Sequence, residues 1–377
     1  MIYLDNAATT RVFDIAADAA RKTMLEQFHN PNATYRSGVE ANDRIEQARK
    51  SIATAIGAEP NEIIFTSCAT EANNWVFSCG IKNKKGNIVI SAGEHSSVYE
   101  TAMALKSRGA DVRMAPLTKD GYVDESALLN LVDENTALVS LIHVSNETGV
   151  VNDIKRLSSA IHHKSPKTLI HSDGVQGLLK IGTRLDDLGV DYYTASAHKL
   201  GAPKGIGLAY IRNGLNIAPL IYGGGQERGL RSGTQNTPYI AAFAAAVDEI
   251  KSFNANNCAQ KIQALRQEVC DFFISNGCKI VGSGQNNGYI ACVCIPGAKA
   301  EIVQNMAHDN GVIIGKGAAC SGAKRGNRVL SAMGLSPKEI ECCTRISLFI
   351  NSNRDDTLHA AQIIMNEANK LRSNHVG

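Results

Sequence analysis

A chain of 377 residues, 44% hydrophobic and 20% charged, has the composition of a globular protein with room for two domains. Its 39 Lys and Arg against 36 Asp and Glu leave a net charge of +3, which excludes binding to nucleic acid by charge alone. No apolar run reaches the roughly 20 residues of a membrane span, and ten cysteines in so long a chain do not read as a disulfide framework.

The opening "MIYLDNAATT" begins like a strand and turns polar at once, unlike a secretory leader, so the expected compartment is the cytoplasm. From about residue 60 to 215, short apolar runs alternate with helical patterns. The runs are "EIIFTS" (62–67), "NIVISA" (87–92), "ALVSLIHVS" (137–145), "TLIHSD" (168–173), "DYYTASA" (191–197) and "GIGLAYIR" (205–212). Between them lie helix-like segments such as "ATEANNWVFSCGIK" and "VYETAMALKSRG". Strands apolar nearly throughout and separated by helices predict an α/β fold with a mostly parallel sheet buried on both faces. Ligands in such sheets gather beyond the strand C-terminal ends. Several runs end in polar residues there: Thr66 and Ser67, Glu94 and His95, Asn146 and Glu147, Asp173, and His198 and Lys199.

A long helical stretch is predicted from Pro238 to about Asn276. Strand-like "CKIVGS", "YIACVCI" and "GVIIGKG" follow, and then helices to about Arg372. The expected division is a large domain, 16–253, and a small α+β domain made of 1–15 and 254–377. Cys292 and Cys294 fall on one face of a strand, where small core hydrophobes are a better reading than zinc ligands.

Two strand ends suggest a chemistry. "TASAHKLGAPKGIG" sets Lys199 just past a strand and before a Gly/Pro turn that permits close backbone approach. A lysine so placed suits a Schiff base with an aldehyde cofactor. Pyridoxal phosphate also needs a carboxylate on its pyridine nitrogen, and Asp173 ends an earlier strand of the same pattern. A third feature is "IIGKGAACSG", which surrounds Cys320 with small residues that neither cover a thiol nor hold the backbone stiff.

The motifs "YLDNAATT", "NPNATYRSG", "IIFTSCATEANN", "EHSSV", "HVSNETGV", "HSDGVQG", "SAHKLGAPKGIG", "GGGQERGLRSGT" and "AACSG" occur in order from residue 3. Together they resemble the motif set of the NifS/IscS-like cysteine desulfurases, class V aminotransferases, to about residue 350. The resemblance implies the PLP-dependent transferase fold of type I, with a mostly parallel seven-stranded sheet in the large domain. It implies that Lys199 holds pyridoxal 5'-phosphate, that Asp173 pairs with the ring nitrogen and that His95 lies over the ring face. Gln176 and Asn146 would reach the phenolic oxygen, with Asn146 also near the substrate carboxylate. Ala69, Thr70, Ser196 and His198 would hold the phosphate, and Thr234 would reach the phosphate of a neighbouring subunit in a homodimer. Arg345 would grip the substrate carboxylate with its guanidinium fork.

The implied reaction takes sulfur from L-cysteine onto Cys320 as a persulfide and releases L-alanine. Lys316, Lys324, Arg325 and Arg328 lie within eight residues of Cys320 and would favour its thiolate. A sulfur-acceptor protein completes the cycle, with iron–sulfur cluster assembly expected and tRNA thiolation or DNA phosphorothioation as alternatives. Two other readings stay open: a selenocysteine lyase or other class V aminotransferase, which would not need Cys320, and a non-catalytic sulfur carrier on the same fold. The chain departs from the motif set at Tyr35, at Cys68 and in the basic stretch after Cys320.

Overall fold

The computed structural model describes residues 1–81, 85–182, 184–316 and 327–373. Its twelve strands are β1 (Ile2–Leu4), β2 (Ile63–Thr66), β3 (Asn87–Ser91), β4 (Val112–Ala115), β5 (Thr136–Ser140), β6 (Leu169–Asp173), β7 (Tyr192–Ser196), β8 (Gly207–Ile211), β9 (Lys279–Val281), β10 (Ile290–Cys294), β11 (Val312–Lys316) and β12 (Cys343–Ser347). Seven form one sheet in the order β2-β8-β7-β6-β5-β3-β4. Only β8 runs against the rest, pairing antiparallel with both β2 and β7. Every residue of β3, β5, β7 and β8 is buried, as apolar runs covered by helices on both faces should be.

The other five strands form a sheet in the order β1-β11-β12-β10-β9. β1 joins it by pairing parallel with β11, so the first strand lies beside residues 312–314. Cys292, Cys294 and Cys343 are buried together with Val281, Leu330 and Met333, which places these thiols in an apolar core. Among the described residues no group of His, Cys, Asp and Glu is arranged to hold a metal ion. Nor is any described helix long and apolar enough to cross a membrane.

Four sequence expectations need correction. The run 137–145 is a regular strand only to Ser140; beyond it Leu141 and His143 still donate to the carbonyls of His171 and Asp173, at 3.0 and 2.9 Å, as the backbone bends toward the site. β4 had no clear signal because it is an edge strand with Arg113 and Met114 only partly covered. β12 was missed because, although every residue is buried, three of its five are Thr, Arg and Ser rather than an apolar run. The stretch from Pro238 to Asn276 is two helices, Thr237–Ala255 and Cys258–Ser275. They break at Asn257, whose φ of 58° lies in the left-handed region that asparagine tolerates.

Candidate active site

The C-terminal ends of β3, β5, β6 and β7 point the same way because these strands are parallel, and the loops beyond them enclose a cavity of about 390 Å³. Its lining takes in Ala69, Thr70, His95, Asn146, Asp173, Gln176, Ser196, His198, Lys199 and Arg345. All ten were singled out from the sequence. Thr234 lies outside this cavity on an exposed loop, and Cys320 lies outside the described residues.

Asp173 closes β6 and is 2% exposed. Its Oδ1 accepts the N–H of Val175 at 3.1 Å and its Oδ2 accepts Nδ2 of Asn73 at 2.9 Å. A carboxylate offers about four acceptor positions, so these two bonds leave capacity for a ring N–H. Gly174 must follow, because a Cβ there would lie 1.8 Å from Cζ of Tyr193. That ring is held by a 2.8 Å bond between its hydroxyl and Nδ1 of His143.

Lys199 ends the turn Ala197–Lys199 after β7, and its Nζ donates to the carbonyls of Ala7, at 2.6 Å, and Ala8. The amine is thus held where the N-terminal segment crosses the site. Next to it, burial pushes the His198 imidazole down to about 4, and the cations Lys199, Lys204 and Lys180 push the same way. Neutral His198 bonds through Nδ1 to Oγ1 of Thr9 at 3.1 Å.

His95 caps the helix Ser96–Ser107, its Nδ1 accepting the N–H of Ser97 at 3.1 Å and lying 2.8 Å from Oγ of Ser97. A nitrogen that accepts a backbone N–H carries no proton, so the neutral ring holds its proton on Nε2. Burial lowers its pKa most strongly; Asp173 opposes, and Lys199, Arg328 and Arg345 reinforce.

Asn73 connects these parts, and the sequence reading missed it. It is fully buried in the helix Ala69–Trp75. Its Nδ2 donates to Asp173 and, at 2.8 Å, to Oγ of Ser97, whose hydroxyl is left to donate to His95. Its Oδ1 accepts from Oγ1 of Thr194 at 2.6 Å and from Nε2 of His171 at 3.1 Å. Burial drives His171 down to about 3, so that ring is neutral. The available signal was an asparagine on the apolar face of the helix, at helical spacing from Ala69 and Val76.

Arg345 comes from β12, opposite Gly315 of β11. Its Nη1 donates to the carbonyl of Asn146 at 2.9 Å and its Nη2 to Oδ1 of Asp5 at 3.0 Å. Asp5, in the "YLDNAATT" motif but given no role from sequence, therefore orients the guanidinium. Gly315 makes room for this pair: a Cβ there would stand 2.5 Å from Oδ1 of Asp5. Asn146 donates to Glu147 at 2.8 Å, and Glu147 accepts Asn327 at 2.9 Å.

Two of the cations assigned to Cys320 have other partners. Lys316 pairs with Glu301 at 2.6 Å, and Arg328 donates to the carbonyls of Ala92 and Glu94 while its guanidinium sits 4.2 Å over the ring of Tyr99. Lys324 and Arg325 lie outside the described residues. The stretch 317–326 is nonetheless bounded by site residues: Lys316 lines the cavity, and Arg328 holds the carbonyl next to His95.

The segment around Thr234 is fastened from within. Arg49 grips Glu227 with both arms, at 2.7 and 2.9 Å, and Arg231 pairs with Glu71 at 2.9 Å. Thr234 lies just beyond these anchors.

A seven-stranded α/β core with a lysine, a buried carboxylate and a helix start around one cavity defines a pyridoxal-phosphate enzyme, and residues 2–358 match the family "Aminotransferase class-V". The chain belongs to that family, whose cofactor is pyridoxal 5'-phosphate. Within it, relatives that match nearly the whole chain include cysteine desulfurases. "Cysteine desulfurase IscS" of Dictyoglomus turgidum is 32% identical over 99% of this chain and 95% of its own. A solved "NIFS-LIKE PROTEIN" superposes with a TM-score of 0.91 at 34% identity, covering 97% of this chain and 98% of that one. A structure titled "SspA in complex with cysteine" matches with a TM-score of 0.78 at 30% identity over 92% of this chain and 99% of its own.

The residues present fit the cofactor. A cavity of about 390 Å³ is within the size of small-ligand sites, about 300–1,000 Å³. Its walls supply an amine, a buried carboxylate with acceptor capacity, hydroxyls and a guanidinium, matching an aldehyde, a ring nitrogen and anionic groups.

Proposed function

We propose that the protein is a cysteine desulfurase that moves the sulfur of L-cysteine to Cys320 and releases L-alanine. The observation that carries the reading is the convergence of Lys199, Asp173, His95 and Arg345 on one cavity in a chain whose full-length relatives are cysteine desulfurases. Bound pyridoxal phosphate supplies an electron sink for the substrate's Cα–H bond. Asp173 binds the ring nitrogen, and Ala69, Thr70, Ser196 and His198 hold the phosphate. Gln176 and Asn146 serve the phenolic oxygen.

Arg345, fixed by Asp5, binds the substrate carboxylate through its fork. The Lys199 amine would take the Cα proton, and His95 would offer the proton held on its Nε2 within the cavity. The Cys320 thiolate attacks the substrate sulfur. The C–S bond breaks, its electron pair stays with the three-carbon fragment, and that fragment takes up protons to become alanine. Cys320 keeps the sulfur as a persulfide, ready for an acceptor thiol.

The working form is a homodimer in which Thr234 serves the partner's phosphate. Its exposure outside its own cavity supports this, as do the exposed Phe28, Tyr35, Ile221 and Tyr222. The acceptor belongs to iron–sulfur cluster assembly in the cytoplasm, a reading that rests on the sequence resemblance.

The test is incubation with ³⁵S-labelled L-cysteine, with alanine counted and the label mapped by mass spectrometry. One alanine per sulfur and label on Cys320 are expected, with passage to a scaffold protein in extract. Full turnover by Cys320→Ser would instead favour a selenocysteine lyase or another class V aminotransferase. Label reaching only tRNA or DNA modification proteins would replace the iron–sulfur assignment.

A further inference from the structure

Lys180 is a buried lysine with no role in the chemistry above. It is 7% exposed, and among the described residues it forms no ion pair. Its Nζ donates to Oε1 of Gln176 at 3.0 Å and stands 6.0 Å over the ring of Tyr289. Burial, with Lys199 nearby, brings its pKa down to about 7. An unpaired amine in the interior is unfavourable unless something there uses it.

The backbone is also strained at this point. Leu179, directly before Lys180, has φ of 58°, a region where a bulky side chain is a real outlier. A left-handed residue of this kind is unfavourable by about 1–2 kcal/mol. It breaks the helical turns that lead away from Asp173, and the next side chain is the buried lysine. Strain of this sort gathers at functional sites.

The geometry decides which way the Gln176 amide faces. In its protonated form Lys180 has donors only, and the amide atom toward it is then the oxygen. The carbonyl of Ala7 accepts only, and the other amide atom lies 2.9 Å from it, so that atom is the nitrogen. Two independent neighbours thus give the same orientation. The nitrogen has a second N–H, and Gln176 lines the cavity.

We propose that Lys180 is a positioning residue for the cofactor: its bond to Oε1 turns the Gln176 amide so that Gln176 offers an N–H to the phenolic oxygen of pyridoxal phosphate. This rests on the reading that Gln176 faces that oxygen. Without Lys180 the amide loses the bond at Oε1 and is held only by the Ala7 carbonyl, so its N–H is less firmly directed at the phenolic oxygen.

The experiment measures affinity of the dimeric apoenzyme for pyridoxal phosphate and for its analogue lacking the phenolic oxygen. The variants are Gln176→Leu, Lys180→Met, Lys180→Gln and the double Gln176→Leu/Lys180→Met. Lys180→Met and Gln176→Leu should each bind pyridoxal phosphate up to about tenfold more weakly, as for one lost hydrogen bond. Both should bind the analogue within about twofold of the unaltered protein, since the affected bond is absent. The double variant should be no weaker than Gln176→Leu, because one bond is lost once. Lys180→Gln, which keeps a donor, should recover part of the affinity and guards against a folding defect in the methionine variant.

If Gln176→Leu weakens pyridoxal phosphate selectively but Lys180→Met does not, the positioning role is wrong and the reading of Gln176 stands. If Gln176→Leu affects both ligands equally, that reading is wrong and the proposal falls with it. Equal loss on both ligands in Lys180→Met, or additive losses in the double variant, shows a merely structural lysine and overturns the proposal.

Discussion

Replacing Asn73 by alanine should damage both stability and cofactor binding. Four hydrogen bonds of 2.6–3.1 Å are lost together, to Asp173, Ser97, Thr194 and His171. The Thr194 hydroxyl can turn to His171, 3.4 Å away, and Ser97 is partly exposed and can reach water. Two groups are left with little recourse, the Asp173 Oδ2 and the Thr194 O–H, because the Thr194 oxygen can accept the His171 Nε2–H but its own proton has lost its acceptor. Stranding a buried polar group is unfavourable by about 1–3 kcal/mol, so about 2–6 kcal/mol is expected in total. Urea unfolding of apoprotein, followed by circular dichroism, should give an unfolding free energy lower by an amount in that range, read from the shift in midpoint multiplied by the slope m. Pyridoxal phosphate should bind at least about tenfold more weakly, because the carboxylate proposed for its ring nitrogen has lost an orienting bond. Asn73→Asp should be worse than alanine for cofactor binding, since it faces one carboxylate with another. A loss under about 1 kcal/mol with unchanged affinity would refute the network as described.

Three other perturbations follow from the geometry. Burial and the charge of Asp173 raise the Glu94 carboxyl from its ordinary 4.5 to about 8, so the stability it contributes is full below 4.5 and lost as pH climbs through 8. Glu94→Gln should therefore gain on the unaltered protein by a few kcal/mol between pH 4.5 and 8, read as the difference of two urea series; parallel pH profiles would refute it. Arg345→Lys replaces a two-armed grip with a point charge, and KM for L-cysteine should rise roughly 10- to 100-fold; an unchanged KM would remove Arg345 from carboxylate binding. Arg49→Ala leaves Glu227 buried without its partner, which should lower stability by about 3–5 kcal/mol in the same urea assay.

Of the ten residues around the cavity, His95, Asn146, Asp173, His198 and Lys199 were readable from residue types at strand ends, whereas Ala69, Thr70, Gln176, Ser196 and Arg345 came only with the family resemblance. Parallel strands buried on both faces write themselves as apolar runs, and their polar ends then mark where a ligand sits. What escaped were relations between distant positions. Asn73 and Asp173 are 100 residues apart and meet only because β2 and β6 carry their loops to the same end of the sheet. Asp5 and Lys180 look like an ordinary surface charge and an ordinary helix lysine until the fold sets them against Arg345 and Gln176. β12 escaped for a related reason: a central strand with Thr, Arg and Ser inward resembles an exposed one in sequence.

The crossing of the first ten residues through the site has a consequence for how the protein is made. Asp5 meets Arg345 across 340 positions, Ala7 accepts from Lys199 across 192, and β1 waits for β11 to pair with. At about 5–20 residues per second, the earliest residues leave the ribosome some tens of seconds before their last partner. The seven-stranded sheet can assemble during that interval, but the wall built by Asp5, Ala7 and Ala8 cannot close until β12 has emerged. Capacity to close this cavity is therefore acquired only once β12 has been made, and a chain shorter than that carries Lys199 without the wall beside it.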